Sequence, residues 1–383
     1  MVLKQTTKFQ IKAVTTPEDK ELFLDIPAQV YAKDPYWVPP IRSSIAKQFE
    51  PDNSFFEYGK LQQFIALSES TGKPQPIGRI VAAVNRRLIS REGQNVGVFG
   101  FFECVPEFDV AQALLETACE WLRKQGMTLV RGPIDLSTHN NCLLLVDGFD
   151  SPPMVMMPYN PPYYPEFIEL DKWHKAKDAY AYDFCLDKPL PTEFEKAYRI
   201  ACKSGVTFRP IKTKGKEFEQ DAIAIYHLFT RAFANNWSST PRSEAEFLLE
   251  AKDLQSLVDP DLFPVAEYNG EMIGFFMGLP DYNLPLKQVN GKLNWLGILK
   301  FLWYRRQINQ GRMIALCSLP EYRRKMVPLA LIYLVMQGGI KKGKPYKQAE
   351  LSWVYEDNLP SRKLIEAVGG KIYKTYRIYE KAL

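Results

Sequence analysis

Three groups of residues in this chain have the types and spacing to do chemistry. The first is Glu103, set inside the apolar run Gly100-Phe-Phe-Glu-Cys104. A carboxylate on the buried face of a strand is poorly solvated, so its pKa rises and it can serve as a base. On the outward face it is an ordinary surface acid. The second is the polar stretch Asp135-Leu-Ser-Thr-His-Asn-Asn141, where His139 is the alternative base and Asn141 a candidate substrate contact. Local turn contacts among these Asp, Ser and Asn side chains explain the same composition. The third is Arg323-Arg-Lys325, a cationic turn between an apolar run (313–319) and a helix opening at Pro328. Cations on a turn that feeds a helix N-terminus make an anion site, because free N–H groups and the helix dipole converge there. Cys317 lies in the apolar run with no histidine near it in sequence, which argues against a thiolate nucleophile.

The elements that must hold these residues follow from periodicity. Residues 8–14 alternate as a strand, and 18–32 have helical spacing before the aromatic and proline loop 34–40. Residues 61–68 and 78–85 read as paired strands across the turn 72–76, and 96–105 as another strand. Asp109 is expected to cap a helix whose Val110, Leu114, Ala118, Trp121 and Leu122 share a face. Strands are expected at 127–132 and 179–186, a helix at 165–170, and a linker at 187–191. The loop 151–165, with six prolines among tyrosines and methionines, is read either as packed against its own core or as a ligand-cleft wall. On the second reading Tyr159 and Asn160 face the substrate. A strand at 206–211, helices at 218–233 and 244–254, and a hairpin over Asn269-Gly270 precede the cationic turn. Asn236, Trp237, Asp281 and Asn283 are candidate cleft polars, although turn contacts account for them equally well. A strand (349–354) then leads to Asn358 and a last helix ending at Gly369-Gly370.

The chain has 383 residues, enough for two domains, each with a core of its own. Its 46% hydrophobic and 24% charged residues describe a globular protein, and a net charge of +5 is too small to argue for nucleic acid. Six cysteines without a CxxC pair and only three histidines argue for reduced thiols and against a metal site. The first residues carry no signal-peptide pattern and no apolar run reaches spanning length, so a cytoplasmic location is expected.

The tetrapeptide Val105-Pro-Glu-Phe108 matches Leu319-Pro-Glu-Tyr322, and each follows an apolar strand and precedes an apolar helix. With the same element order on both sides, this reads as a duplication. The first copy continues Asp109-Val110 where the second carries Arg323-Arg-Lys325, so only the second is expected to bind a nucleotide-like anion.

At these residues the chain resembles the GNAT superfamily of acyltransferases, with Arg323-x-x-Met326-x-Pro328 at the coenzyme A turn and Asn358 and Gly369 at the close. Both turn glycines of the family pattern are replaced, by Met326 and Pro328, and Ile365 stands where the family often has a thiolate-protonating tyrosine. Asp34-Pro-Tyr-Trp-Val-Pro-Pro40, Arg131-Gly-Pro133, Met156-Met-Pro-Tyr-Asn160, Pro280-Asp-Tyr-Asn283 and Trp353-Val-Tyr-Glu-Asp-Asn358 are similar to a tandem GNAT-like group that includes a bacterial ceramide synthase. The resemblance implies an α/β chain of two GNAT-like domains (1–190 and 191–383), each a mixed twisted sheet flanked by helices, with a shared cleft. It implies acyl-CoA or acetyl-CoA as co-substrate, no metal, and an acceptor that is a small-molecule or lipid amine. Cys317, Ser318, Leu319, Arg323, Arg324, Lys325, Met326, Val327 and Asn358 would then hold the CoA. The alternative is a degenerate, non-catalytic fold that binds a lipid, an acyl-CoA or a protein; transfer of an aminoacyl group from tRNA has little support in the modest charge.

One further stretch, 294–306, is apolar nearly all round if helical, with Trp295, Trp303 and Tyr304 beside Lys300, Arg305 and Arg306. Rings and cations flanking an apolar stripe suit a membrane interface. A helix capping a cleft or buried between domains suits the same residues. The first reading would bring the protein to the inner membrane face.

Overall fold

The computed structural model describes residues 8–69, 74–186, 190–234, 236–292, 294–341, 343 and 346–383. Part of the expected turn at 72–76 and most of the expected linker at 187–191 lie outside these residues. The strands, in chain order, are β1 (Phe9–Ala13), β2 (Gly59–Ser68), β3 (Gln75–Asn85), β4 (Val96–Cys104), β5 (Leu129–Gly132), β6 (Leu144–Asp147), β7 (His174–Cys185), β8 (Thr207–Pro210), β9 (Pro264–Tyr268), β10 (Glu271–Pro280), β11 (Gln310–Ser318), β12 (Gln348–Tyr355) and β13 (Lys371–Ala382). The chain forms two compact units. One comprises Met1–Asp178, Val289–Gly297 and Thr375–Leu383, and the other Ala179–Gln288 and Ile298–Lys374.

In the first unit β1, β2, β3 and β4 pair antiparallel in succession. β4 then runs parallel to β5, and β5 pairs antiparallel with Tyr379–Ala382 of β13. Residues 80–84 of β3, Ile-Val-Ala-Ala-Val, are buried throughout, because helices pack against this strand. The crossover from β4 to β5 carries the helix Phe108–Lys124, which buries Val110, Ala111, Leu114, Leu115, Ala118, Cys119 and Leu122. Each larger apolar side chain sealed this way contributes about 1.5–3 kcal/mol. The helix lies so close to β3 that a Cβ on Gly78 would come within 2.7 Å of Leu114. Its N-cap is Glu107 rather than Asp109, which falls in the first turn instead. A carboxylate there still complements the dipole without making a capping bond. By contrast, the helix Pro17–Val30 opens on a full capping box, Thr16 with Asp19.

The second unit has the same plan. β8, β9, β10 and β11 pair antiparallel, β11 runs parallel to β12, and β12 pairs antiparallel with β7 between Ala179 and Cys185. The β9–β10 hairpin turns on Asn269 (φ 52°) and Gly270 (φ 83°), the two left-handed residues a type I′ turn demands. The crossover helix Val327–Gly339 lies over Gly274 of β10, where an added Cβ would stand 3.3 Å from Val327. The chain therefore carries the same mixed α/β arrangement twice, as the paired tetrapeptides imply.

Candidate active site

In both units the parallel strand pair opens partway along its length. The ladder between β4 and β5 runs from Val96/Leu129 to Val98/Arg131, and one more bond, from the Ile134 N–H to the Phe99 carbonyl, closes it. β4 nevertheless continues to Cys104. Along that free stretch the β3–β4 register slips between Arg79 and Val81, and Phe101 takes φ 50°. The loop after β5 crosses β4 at Gly100, where a Cβ would meet the Ile134 carbonyl oxygen at 2.4 Å. Only glycine allows that approach.

Glu103 sits on this free stretch opposite Arg79 of β3. Its side chain is 15% exposed, the Arg79 side chain 7%, and their charged atoms are 3.9 Å apart. The Tyr164 hydroxyl donates to Glu103 Oε2 at 2.8 Å while accepting from the Cys104 N–H at 2.8 Å. The Tyr31 phenol lies beside the same carboxylate. Burial pushes the Glu103 pKa up to about 7, against the pull of Arg79 and the two phenols. Arg79 donates to the Phe23 carbonyl at 3.1 Å and lies over the Phe23 ring, while its Nε has no partner. Asp135 completes the cluster. Its Oδ1 accepts from the Phe101 N–H at 2.6 Å, and burial raises its pKa to about 6. Burial of two carboxyls beside one guanidinium raises the Glu103 pKa from the ordinary carboxylate range toward neutrality. That is what a general base requires.

Of the residues singled out in sequence, Glu103 thus has a built environment, whereas Arg79, Tyr31, Tyr164 and Asp135 gain meaning only in three dimensions. His139 is half-buried in the 135–141 loop, and its N–H donates to Ser137 Oγ at 3.3 Å. Asn141 is exposed, and its side chain hydrogen-bonds Asp135. Tyr159 donates to Asp34 at 3.0 Å and receives a bond from Tyr31 through its carbonyl, and Tyr31 stacks on Trp37 at 4.9 Å. The loops 34–40 and 151–165 thereby form one aromatic wall beside the Glu103 cluster. Asn160 is buried and pins the Leu145 backbone from both sides, so its polar atoms hold β6 in place.

In the second unit the β11–β12 ladder ends at Met313/Leu351, after which Ile314, Ala315 and Leu316 are only half-buried. Cys317 and Ser318 remain paired with β10, and the Leu319 N–H donates to the Ile273 carbonyl at 3.0 Å. Burial raises the Cys317 thiol to about 12, so it stays protonated. Pro320–Lys325 forms a 3-10 turn, and Met326 takes the left-handed conformation (φ 62°) at the N-cap of the crossover helix, which no side chain caps. The backbone a turn glycine would adopt is therefore kept by a methionine. Arg323 and Arg324 are exposed beside this helix start. Lys325 is engaged by the Ser204 carbonyl at 3.0 Å and by the Tyr268 ring. Val327 is buried as the first helical residue. Asn358 caps the helix Leu359–Ala367 through its side chain. Trp237 meets Tyr355 edge to face, and exposed Asn236 closes a turn through its backbone. Asp281 is buried, accepting from the Asn283 N–H and Gln310, and Asn283 opens a short helix. A buried network not foreseen from sequence stands at the root of the opening. Arg312 donates to Ser352 at 2.8 Å, and Ser352 and Tyr373 both donate to Glu350.

The chain is 32% identical over 378 residues to the bacterial ceramide synthase of Caulobacter vibrioides (strain NA1000 / CB15N), covering 97% of this chain and 96% of the relative. The chain belongs to the bacterial ceramide synthase family. It is also 27% identical over 377 residues to protein YghO of Escherichia coli (strain K12), across 97% and 95% of the two chains. No family profile matches the sequence. Among solved structures, this ceramide synthase relative is similar to a tandem GNAT protein from the clavulanic acid biosynthesis pathway (TM-score 0.57, 13% identity, 98% of each chain). It is similar as well to a GCN5-related N-acetyltransferase from Sphaerobacter thermophilus (TM-score 0.53, 14% identity, 98% and 95%). The fold is the tandem GNAT fold, and both family and fold are those of acyltransferases.

Proposed function

We propose that this ceramide synthase relative transfers an acyl group from acyl-CoA to the nitrogen of a long-chain amine, with Glu103 as the general base. The observation that carries the reading is a carboxylate of pKa about 7 on the stretch of β4 that has left its parallel partner. When bound, acyl-CoA supplies a thioester-activated acyl group. Ionised Glu103 accepts the proton that the amine gives up as its nitrogen forms the amide bond and the C–S bond breaks, and Glu103 then returns that proton to the departing thiolate, which restores the carboxylate. Arg79 keeps the ionised form of Glu103 accessible despite burial, and the Tyr164 hydroxyl orients the carboxylate. His139 is assigned no proton transfer.

In the second unit, taken by itself, Arg323 and Arg324 at the uncapped start of the helix Val327–Gly339 are assigned to phosphate binding. The donor set fits a pyrophosphate: two exposed guanidiniums, a left-handed turn at Met326, and first-turn N–H groups of the helix. A lipid amine is the favoured acceptor because the relative's name is that of a ceramide synthase, and ceramide is an N-acylated long-chain amine.

The test is release of free thiol from long-chain acyl-CoA in the presence of a sphingoid amine. Release that needs both substrates and is lost at least a hundredfold in Glu103→Gln supports the reading. Equal turnover by the variant removes Glu103 from the mechanism. A second reading, binding without catalysis, is favoured by Pro328, which removes one N–H donor, and by Ile365, an apolar side chain in the closing position. It predicts no thiol release but a thermal shift with acyl-CoA, about 2.7 kcal/mol of stabilisation at a hundred times the dissociation constant.

A further inference from the structure

The helix Trp295–Arg305 has an apolar sequence and yet buries only Gly297. Trp295 is 70% exposed and Trp303 63%, and Leu296, Ile298, Leu299 and Leu302 are each about half exposed. On a soluble surface such a face is costly, because each of these side chains gives up the transfer energy that burial would return. At about 100° per residue the six side chains occupy one continuous arc of roughly 160°. Half-buried Phe301 and Tyr304 lie with Gly297 on the opposite side, and Phe301 stacks on Tyr282 at 5.8 Å. The helix is thus anchored by its narrow face and offers its broad apolar face outward.

The charge around the arc indicates what covers it. Lys300 and Arg305 fall on its two margins. Lys287, Lys292, Lys300, Arg305 and Arg306 are all exposed, and no acidic residue occurs between Asp281 and Glu321. A second copy of the chain would set these cations against their own images. An anionic bilayer instead receives the leucines and isoleucine in its acyl boundary, the indoles at headgroup level and the cations among lipid phosphates. No helix among the described residues is long and apolar enough to cross a membrane, and eleven residues suffice to lie in its surface.

We propose that the helix Trp295–Arg305 docks this protein onto an anionic lipid surface, with its apolar arc in the bilayer and Lys300 at the phosphates. The experiment is co-sedimentation of the full chain with vesicles of equal parts phosphatidylglycerol and phosphatidylcholine, and with phosphatidylcholine alone. The full chain is expected to sediment with the anionic vesicles and much less with the neutral ones. The double variant Trp295→Ser, Trp303→Ser is expected to lose at least tenfold in binding, and Lys300→Glu several-fold on anionic vesicles only. Leu249→Ser, at an exposed leucine (66%) on another helix, serves as the control and is expected to bind as the parent does. Circular dichroism of the variants should match the parent, since every changed side chain is exposed. Vesicle binding unaltered by the tryptophan changes overturns the proposal, as does absence of binding to either vesicle. A lipid-free dimer that the double variant converts to monomer also overturns it, assigning the face to a second copy.

Discussion

At the scale of single residues the central object is a carboxylate whose charge is marginal. Glu103 titrates at about 7 because burial outweighs Arg79 and its phenol donors. In the proposed mechanism the ionised form takes the proton, so turnover should fall as pH drops through about 7, tenfold per unit well below it. The sign for stability is opposite. The folded carboxyl keeps its proton above the ordinary value of 4.5, so its contribution to stability is full below 4.5 and is lost as pH rises through about 7. A pH profile of thiol release, with acyl-CoA and amine saturating, checks the first statement; a flat profile between pH 5.5 and 8, both values chosen at about 1–1.5 units from the expected midpoint, would sink it. Glu103 could be picked from sequence because a charge inside Gly100-Phe-Phe-Glu-Cys104 is conspicuous. Its partners at 31, 79 and 164 could not, since strand register and helix packing bring them together and no local pattern marks them, while Asp135 stands out only as part of a polar stretch. Asn160 shows the converse. Its polarity beside tyrosines suggests a cleft, and the fold uses it on backbone groups of Leu145 and Pro161.

At the scale of elements, what matters is how the crossover helices begin. Helix Phe108–Lys124 starts with Glu107 and Asp109 in its cap and first turn, and helix Val327–Gly339 follows Arg323, Arg324 and Lys325. Opposite charges at equivalent helix starts give opposite affinities for an anion. Arg323→Ala with Arg324→Ala should weaken CoA binding about tenfold, or about 1.4 kcal/mol, and flatten its salt dependence. Lys325→Ala should matter less, because its ammonium is held by Ser204. Pro328→Ala returns one N–H donor to the first turn and should tighten binding. Titration calorimetry with CoA at two salt concentrations resolves all three; an unchanged dissociation constant in the double variant would move the phosphates elsewhere. Much at this scale was legible. The Asn269-Gly270 turn, the apolar face of the helix after β4 and the cationic turn all follow from local rules. The helix Thr192–Lys203 was not, since it begins beside a proline-rich stretch that reads as a linker. Nor was β13, whose residues follow a Gly-Gly stop and alternate only loosely.

For the whole molecule, the duplication shows in two tetrapeptides, but the way each sheet is completed does not. β5 pairs with Tyr379–Ala382, from the far end of the chain, and β12 pairs with Ala179–Cys185, from its first half. Each unit thus takes one strand from the other half of the sequence, over separations that no periodicity encodes. A cut at 190/191, the boundary that the repeat suggests, would then damage both halves. Fragment 191–383 loses β7 and with it Phe184 and Leu186 from its core, leaving β12 with an unpaired edge. Fragment 1–190 loses Tyr379 from its own core and the strand beside β5. Losing several buried side chains at about 1.5–3 kcal/mol each consumes most of a stability of about 5–15 kcal/mol. Neither fragment should melt cooperatively by circular dichroism. Extending the second to 174–383 restores β7 and should bring back a measurable transition. If 191–383 melts as sharply as 174–383, the borrowed strand is dispensable and the two halves are independent folds. Failure of 191–383 alongside a cooperative 174–383 would mean that the second fold needs β7 from the first half of the sequence and can be made without the rest of it.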